Sequence, residues 1–310
     1  MPVTELRMIS AAVPELDAAS AAWAALSGHE LRFEGPLDEE LPTLWGLPTA
    51  TGSRQAVFGA PGSRRGLVRF LSTDEAARRS RPVERLGPFA IEFFSREVDE
   101  VAARATPGSA FALRSPPTAY DLQAIGSGAC RSLALQGPGD LWMFVTTLDW
   151  VPPPRPLPRV PDLVGPAVNA PIAAVDRAGA LRFWHELLGM AVRFDGVVGD
   201  PHVNAIMLAP AEWEFRISVF SLGDGQMVEH HFHPPGRLGG AAAPGRSLLP
   251  GVTGYTFAAS RLDELLAAAR QLGVATRGPA RCPAPPYEGR RVACLVDPTG
   301  ALVELVEEET

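Results

Sequence analysis

Three histidines crowd into the run VEHHFHPPGR, at His230, His231 and His233. Imidazole is the side chain whose charge changes nearest neutral pH, and it is the commonest metal ligand. In an extended segment His231 and His233 share a face. Together with Glu304 or Glu229 they could form a non-standard site for iron or manganese. The run ends in Pro234-Pro235-Gly236 and a Gly/Ala-rich stretch, so the expected setting is a loop that either covers a ligand or lies exposed. A single carboxylate stands out near the C-terminus. In ALVELVEEE, period-two alternation puts Leu302, Glu304 and Val306 on one face. A carboxylate on an apolar face has a raised pKa and can serve as acid or base. His202 and Asn204, in HVNAIMLAP, share a face if that segment is a strand. Tyr287, in PAPPYEGRR, precedes Arg290 and Arg291, and an arginine there could clamp an anionic substrate. No GxGxxG, GxxxxGK[ST] or GxSxG motif supplies a competing chemistry.

The elements that must position these groups come in repeats. Residues 15–35, ELDAASAAWAALSGHELRFEG, match residues 176–196, DRAGALRFWHELLGMAVRFDG, at an offset of 161 without a gap. Trp23 pairs with Trp184, and Gly28 with Gly189. Leu181, Trp184, Leu187 and Leu188 recur at helical spacing, and Gly189 sits where a left-handed cap would end the helix. A second pair of units begins FAIEFFSREVDEVAA (89–103) and GYTFAASRLDELLAA (254–268). In each, a short strand enters a helix whose first turn is acidic, which suits the positive helix N-terminus. Asp149 to Gly165 carries six prolines and reads as a semi-rigid connector. The expected organisation is an N-terminal domain over 1–149 (units near 6–75 and 87–147), a linker over 150–165 and a C-terminal domain over 166–310 (units near 166–222 and 251–307). Consecutive units are expected to pair within each half.

VNAPIAAVDRAGALRFWHELLGM (168–190) resembles the opening of a vicinal oxygen chelate module, and DPTGALVELVE (297–307) resembles that superfamily's closing hairpin. The superfamily is the glyoxalase, bleomycin-resistance and extradiol-dioxygenase group. With the fourfold repeat, the resemblance spans nearly the whole chain. It implies an α+β fold: four βαβββ modules paired into two open, cup-like barrels. In relatives, His and Glu from quasi-equivalent strands hold a metal on the cup floor. Here the resemblance puts Asn169 and Gly254 where ligands are expected in the C-terminal half. In the N-terminal half the places fall on Met8, about Ala90, and Met143 or Phe144. Only Glu304 matches a ligand position. The family metal is therefore expected to be lost, with no cofactor, and iron or manganese remains the alternative through His231, His233 and Glu304.

The expected pocket is the C-terminal cup. Glu304 would be its catalytic group, and Asn169, His202, Asn204, Tyr287 and Arg291 would bind substrate. The leading reading is a metal-independent lyase, isomerase or cyclase acting on a small aromatic or polyketide-like molecule. A sequestering or resistance binding protein and a ring-cleaving dioxygenase with non-standard ligands are the alternatives. A formal charge of −7 without blocks argues against nucleic acid and anionic membrane partners. The expected state is a monomer or homodimer. Three scattered cysteines (Cys130, Cys282, Cys294) suit a reducing, cytoplasmic setting.

Overall fold

The computed structural model describes residues 2–308 except 77–80, 106–107, 122–127, 149–160, 224, 235–237 and 239–247. Most of the expected linker therefore lies outside the described residues. Its last residues, Val164 and Gly165, already belong to a strand.

Each of four units runs from strand to helix to antiparallel strands. The first comprises β1 (Val3–Val13), α1 (Leu16–Ser27), β2 (Glu30–Pro36), a short α2 (Leu41–Trp45), β3 (Arg54–Gly59) and β4 (Leu67–Ser72). The second comprises β5 (Gly87–Pro88), β6 (Ala90–Ser95), α3 (Val98–Arg104), β7 (Ala112–Asp121), β8 (Ala129–Gly137) and β9 (Leu141–Leu148). In the third, β10 (Val164–Asn169) and β11 (Ile172–Ala174) lead into α4, whose first turn, Arg177–Ala180, continues in π form over Leu181–Leu187. There follow β12 (Ala191–Val198), α5 (Pro201–Ile206), β13 (Phe215–Gly223) and β14 (Gln226–Phe232). The fourth comprises β15 (Gly251–Ala259), α6 (Leu262–Gln271), β16 (Thr276–Cys282), β17 (Arg290–Val296) and β18 (Leu302–Glu307).

The repeated tryptophans explain the helix placement. Trp23 on α1 and Trp184 on α4 are fully buried and anchor aromatic clusters with Phe93 and Phe111 and with Tyr255 and Phe257. Gly28 and Gly189 follow at φ 76° and 74°, a left-handed conformation glycine adopts without steric cost.

The pairing of units departs from the expectation. Within each unit the first strand lies parallel to the last, β1 beside β4 and β15 beside β18, which leaves one edge of every first strand open. β1 closes its edge antiparallel against β15, from Val3 opposite Ala259 to Ala12 opposite Gly251. Units one and four thus share one sheet in the order β16-β17-β18-β15-β1-β4-β3-β2. Units two and three meet through broken strands. β6 pairs with β10, and β5 pairs with β11, so the seam passes between two five-stranded sheets. The cups are therefore one-with-four and two-with-three, not an N-terminal and a C-terminal cup. An internal repeat shows that edges must be closed. It does not say which equivalent edges meet.

Two local expectations also change. His202 and Asn204 lie on α5, not on a strand. Asp200 caps that helix, its Oδ1 accepting from the His202 and Val203 amides at 2.7 and 3.3 Å, and Pro201 opens the first turn. The Asp-Pro start decides the local structure. The histidine run is not a loop. His230 and His231 lie at the end of β14 and His233 follows it directly; Val228, His230 and Phe232 face the main core while His231 packs against Phe89 and Phe215 on the other face. No helix is long and apolar enough to cross a membrane among the described residues. The three cysteines are free and buried.

Candidate functional site

The floor of the one-four cup is built around a buried ion pair. Arg69, at the centre of β4, and Glu304, on β18, are both almost fully buried, with Arg69 Nη2 2.7 Å from Glu304 Oε1. Trp45 Nε1 donates to the same oxygen at 2.7 Å. The other oxygen, Oε2, accepts from the Tyr287 hydroxyl at 2.7 Å and from Thr256. Arg69 also donates through Nε to Ser10 at 2.8 Å and through Nη1 to Tyr287. Its guanidinium stacks over the Trp45 and Tyr287 rings, 5.1 and 5.8 Å from their centroids, a favourable cation–π geometry. A carboxylate offers about four lone-pair sites, and all four are taken here.

The floor of the two-three cup is arranged differently. Glu92 on β6 stands opposite Asn169 on β10, and Asn169 Nδ2 donates to Glu92 Oε2 at 2.9 Å. Asn169 Oδ1 accepts the Glu229 amide at 3.2 Å. The Glu229 carboxylate pairs with His231 Nε2 at 2.6 Å. Thr146 hydrogen-bonds to Glu92 from the far side, and a hydroxyl chain leads away from it. Thr146 meets Ser132 at 2.6 Å, and Ser132 meets Tyr120 at 2.7 Å. Glu92, Glu229, His231, Thr146, Ser132 and Tyr120 line a cavity of about 80 Å³ whose other walls include Phe144, Val203 and Met207. No arginine or lysine is among the described residues that line it. Burial first, and the neighbouring Glu229 second, push the Glu92 carboxyl up to about 7, against the lowering effect of the Asn169 and Thr146 hydrogen bonds. Burial likewise holds the Tyr120 hydroxyl well above its ordinary value.

The residues expected to converge therefore separate. Glu304 and Tyr287 meet in the one-four cup, while Asn169 and His231 belong to the two-three cup. His202 is exposed on α5. Asn204 is buried, but its amide donates to the Ala211 and Trp213 carbonyls at 3.1 and 2.8 Å and so closes a loop. Arg291 lies on the surface between Asp263 and Glu307, at 2.6 and 2.9 Å. His233 packs on Trp213 and Phe215. The alternative ligand set of His231, His233 and Glu304 is split between the two cups. The floor position on β15 is Thr256, paired with Glu304, rather than Gly254. At Gly254 a Cβ would stand 2.2 Å from the Leu302 carbonyl oxygen, so the glycine serves close strand approach. On β6 the floor residue is Glu92, two places beyond Ala90. Arg69 and Glu92 were the residues missed, and a signal existed for each: a single charged residue inside an apolar strand, LVRFLS and AIEFFS. Such residues are rarely buried without a partner or a function.

These features define the class. Four βαβββ units paired across two open cups are the vicinal oxygen chelate fold. The structure is similar to glyoxalase I from Zea mays, with a TM-score of 0.63 and 14% sequence identity, covering 98% of this chain and 92% of the maize chain. It is similar also to a candidate dioxygenase from Bacillus subtilis subsp. subtilis str. 168, with a TM-score of 0.63 and 13% identity, covering 99% of this chain and 86% of that one. No protein-family model matches the sequence, and no curated protein matches it.

The fold implies a metal on the cup floor, and the residues present do not fit one. In the one-four cup a guanidinium already supplies the positive charge against Glu304. In the two-three cup Glu229 is committed to His231, and Glu92 to Asn169 and Thr146. No group of three or more His, Cys, Asp or Glu is arranged to hold an ion among the described residues.

Proposed function

We propose that the protein is a metal-independent acid–base enzyme, a lyase or isomerase, working on a small molecule in the two-three cup with Glu92 as the group that moves the proton. The observation that carries this reading is the placement of the buried Glu92 carboxyl beside a second carboxylate, Glu229, in a small cavity, an arrangement that pushes the Glu92 pKa up to about 7. A general base works best when its pKa lies near the operating pH, and two neighbouring carboxyl groups with different surroundings divide naturally into acid and base. Asn169 and Thr146 fix the Glu92 carboxyl. The Glu229–His231 pair fixes an imidazole on the cavity wall, and its Nδ1, buried without a hydrogen-bond partner among the described residues, is left to receive a polar hydrogen of the substrate. In the ionised state Glu92 takes a proton from an activated carbon. In the protonated state it returns one. Water-sized space of ~10–15 Å³ per molecule sizes the cavity for a reacting end of roughly five to eight heavy atoms. Glu304 is assigned a different role, as the counter-ion of Arg69.

The test has two readouts. Carbon-13 titration of the Glu92 side chain should give an apparent pKa near 7. Proton-to-deuterium exchange at the activated C–H of small carbonyl compounds should be catalysed by the wild-type protein and lost in Glu92→Gln. A Glu92 that titrates in the ordinary carboxylate range, or exchange that survives the substitution, would overturn the assignment.

A further inference from the structure

We propose that the one-four cup is a second and separate site, which binds an organic oxyanion: a small molecule with an apolar body and one carboxylate, sulfonate or phosphate group. A cleft of about 520 Å³ opens over Thr256 and Tyr287, which cover the buried Glu304 by hydrogen-bonding to it, within the ~300–1,000 Å³ usual for small-molecule pockets. Part of its wall is apolar, formed by Met8, Phe33, Val57, Leu67 and Val306. Arg7, Arg32, Arg64 and Arg290 also line it, against a single acidic residue, Glu288. This excess of positive charge occurs in a chain whose formal charge is −7, so the cleft runs against the sign of the molecule.

The availability of these arginines differs from one to the next. Arg7 lies 3.4 Å from Glu5, and Arg32 lies 2.9 Å from Glu30. Arg64 and Arg290 make no ion pair with any described residue. Arg69 beneath them is spent on Glu304 and stays fixed. The neutral floor therefore imposes shape while the arginines supply charge, and a planar guanidinium is suited to two-point recognition of an oxyanion. Low-dielectric walls around a positive mouth concentrate anions there. The proposal does not depend on the role of Glu92, which lies in the other cup.

The experiment uses two fluorescent probes of the same shape on the full chain: 1-anilinonaphthalene-8-sulfonate, which is anionic, and N-phenyl-1-naphthylamine, which is neutral. The wild type should bind the sulfonate at least tenfold more tightly. Arg64→Gln with Arg290→Gln should remove that tenfold and leave the neutral probe unchanged. Both side chains reach solvent, so the fold should persist, and the circular dichroism spectrum and melting temperature check this. Glu288→Gln should tighten the sulfonate severalfold, and Leu67→Trp, which fills the cleft, should weaken both probes. Glu92→Gln should change neither affinity. Equal affinity for the two probes in the wild type would overturn the proposal. So would full sulfonate affinity in the double arginine variant, or loss of sulfonate binding in Glu92→Gln.

Discussion

The two cups descend from the same repeat yet treat a buried carboxylate in opposite ways. In the one-four cup, Glu304 meets a guanidinium, an indole, a phenol and a threonine hydroxyl. In the two-three cup, Glu92 meets an amide and a hydroxyl, and its charged neighbour is another carboxylate. The first arrangement holds a charge in place. The second leaves a proton to be exchanged. The sheets differ as well: β1 and β15 run continuously, whereas β5–β6 and β10–β11 are both broken at the seam. What surrounds a carboxylate, rather than its place in the repeat, decides what it can do.

The largest expected effect would break this contrast most directly. Glu92→Gln should lower catalysed C–H exchange by about 10²–10⁴, the usual contribution of a general base. In Glu304→Gln any loss should track the unfolded fraction, measured on the same sample by circular dichroism. If Glu304→Gln abolishes exchange in fully folded protein, the roles are reversed.

Removing one partner of the buried pair comes next. Arg69→Met should destabilise the fold by about 3–5 kcal/mol in urea titrations, because it strands a buried charge. Arg69→Met combined with Glu304→Leu should restore much of that loss. A double variant no better than the sum of its parts would mean that the pair is not coupled.

The pH dependence of stability sharpens the comparison further. Glu92 has a folded pKa of about 7, above the ordinary 4.5. Its contribution is therefore complete below about pH 4.5 and is lost as pH rises to about 7, at most roughly 3 kcal/mol at ~1.4 kcal/mol per pH unit. Because His29 contributes a slope of opposite sign below about pH 6.5, the Glu92 slope is read in a His29→Gln background by denaturation from pH 4.5 to 8, where adding Glu92→Gln should flatten it. His29 acts in the opposite direction. Its buried ring lies 3.1 Å from the Val164 and Gly165 carbonyls, and burial lowers its pKa to about 4. Stability from His29 is present above about pH 6.5 and falls away as pH drops toward 4, a loss that His29→Gln should remove. The smallest effect belongs to the surface. Arg291→Ala should leave melting temperature, exchange and probe affinity unchanged, since Arg291 only joins the exposed Asp263 and the partly exposed Glu307.

Much of this molecule was legible from residue spacing. Period-two alternation put Glu304 on an inward face, and the aligned tryptophans marked helices whose tryptophan-bearing faces the structure buries. Asp200-Pro201 was a helix start hidden by the apparent alternation of His202 and Asn204. Alternating Val228, His230 and Phe232 would have marked a strand had the histidines been counted as core. Local pattern thus determined the units, their helices and which strand faces turn inward, because backbone geometry and side-chain period are set by neighbouring residues. Only the tertiary structure decided which open edge meets which. That choice put Asn169 beside Glu92 instead of Glu304 and brought Arg69, 235 residues away in sequence, onto Glu304. Hydrogen bonding between strand edges is made by the backbone, and backbone groups are alike in every repeat. The sequence could therefore specify that the edges close without declaring, to a reader of one chain, which carboxylate would find a cation and which would be left with a proton.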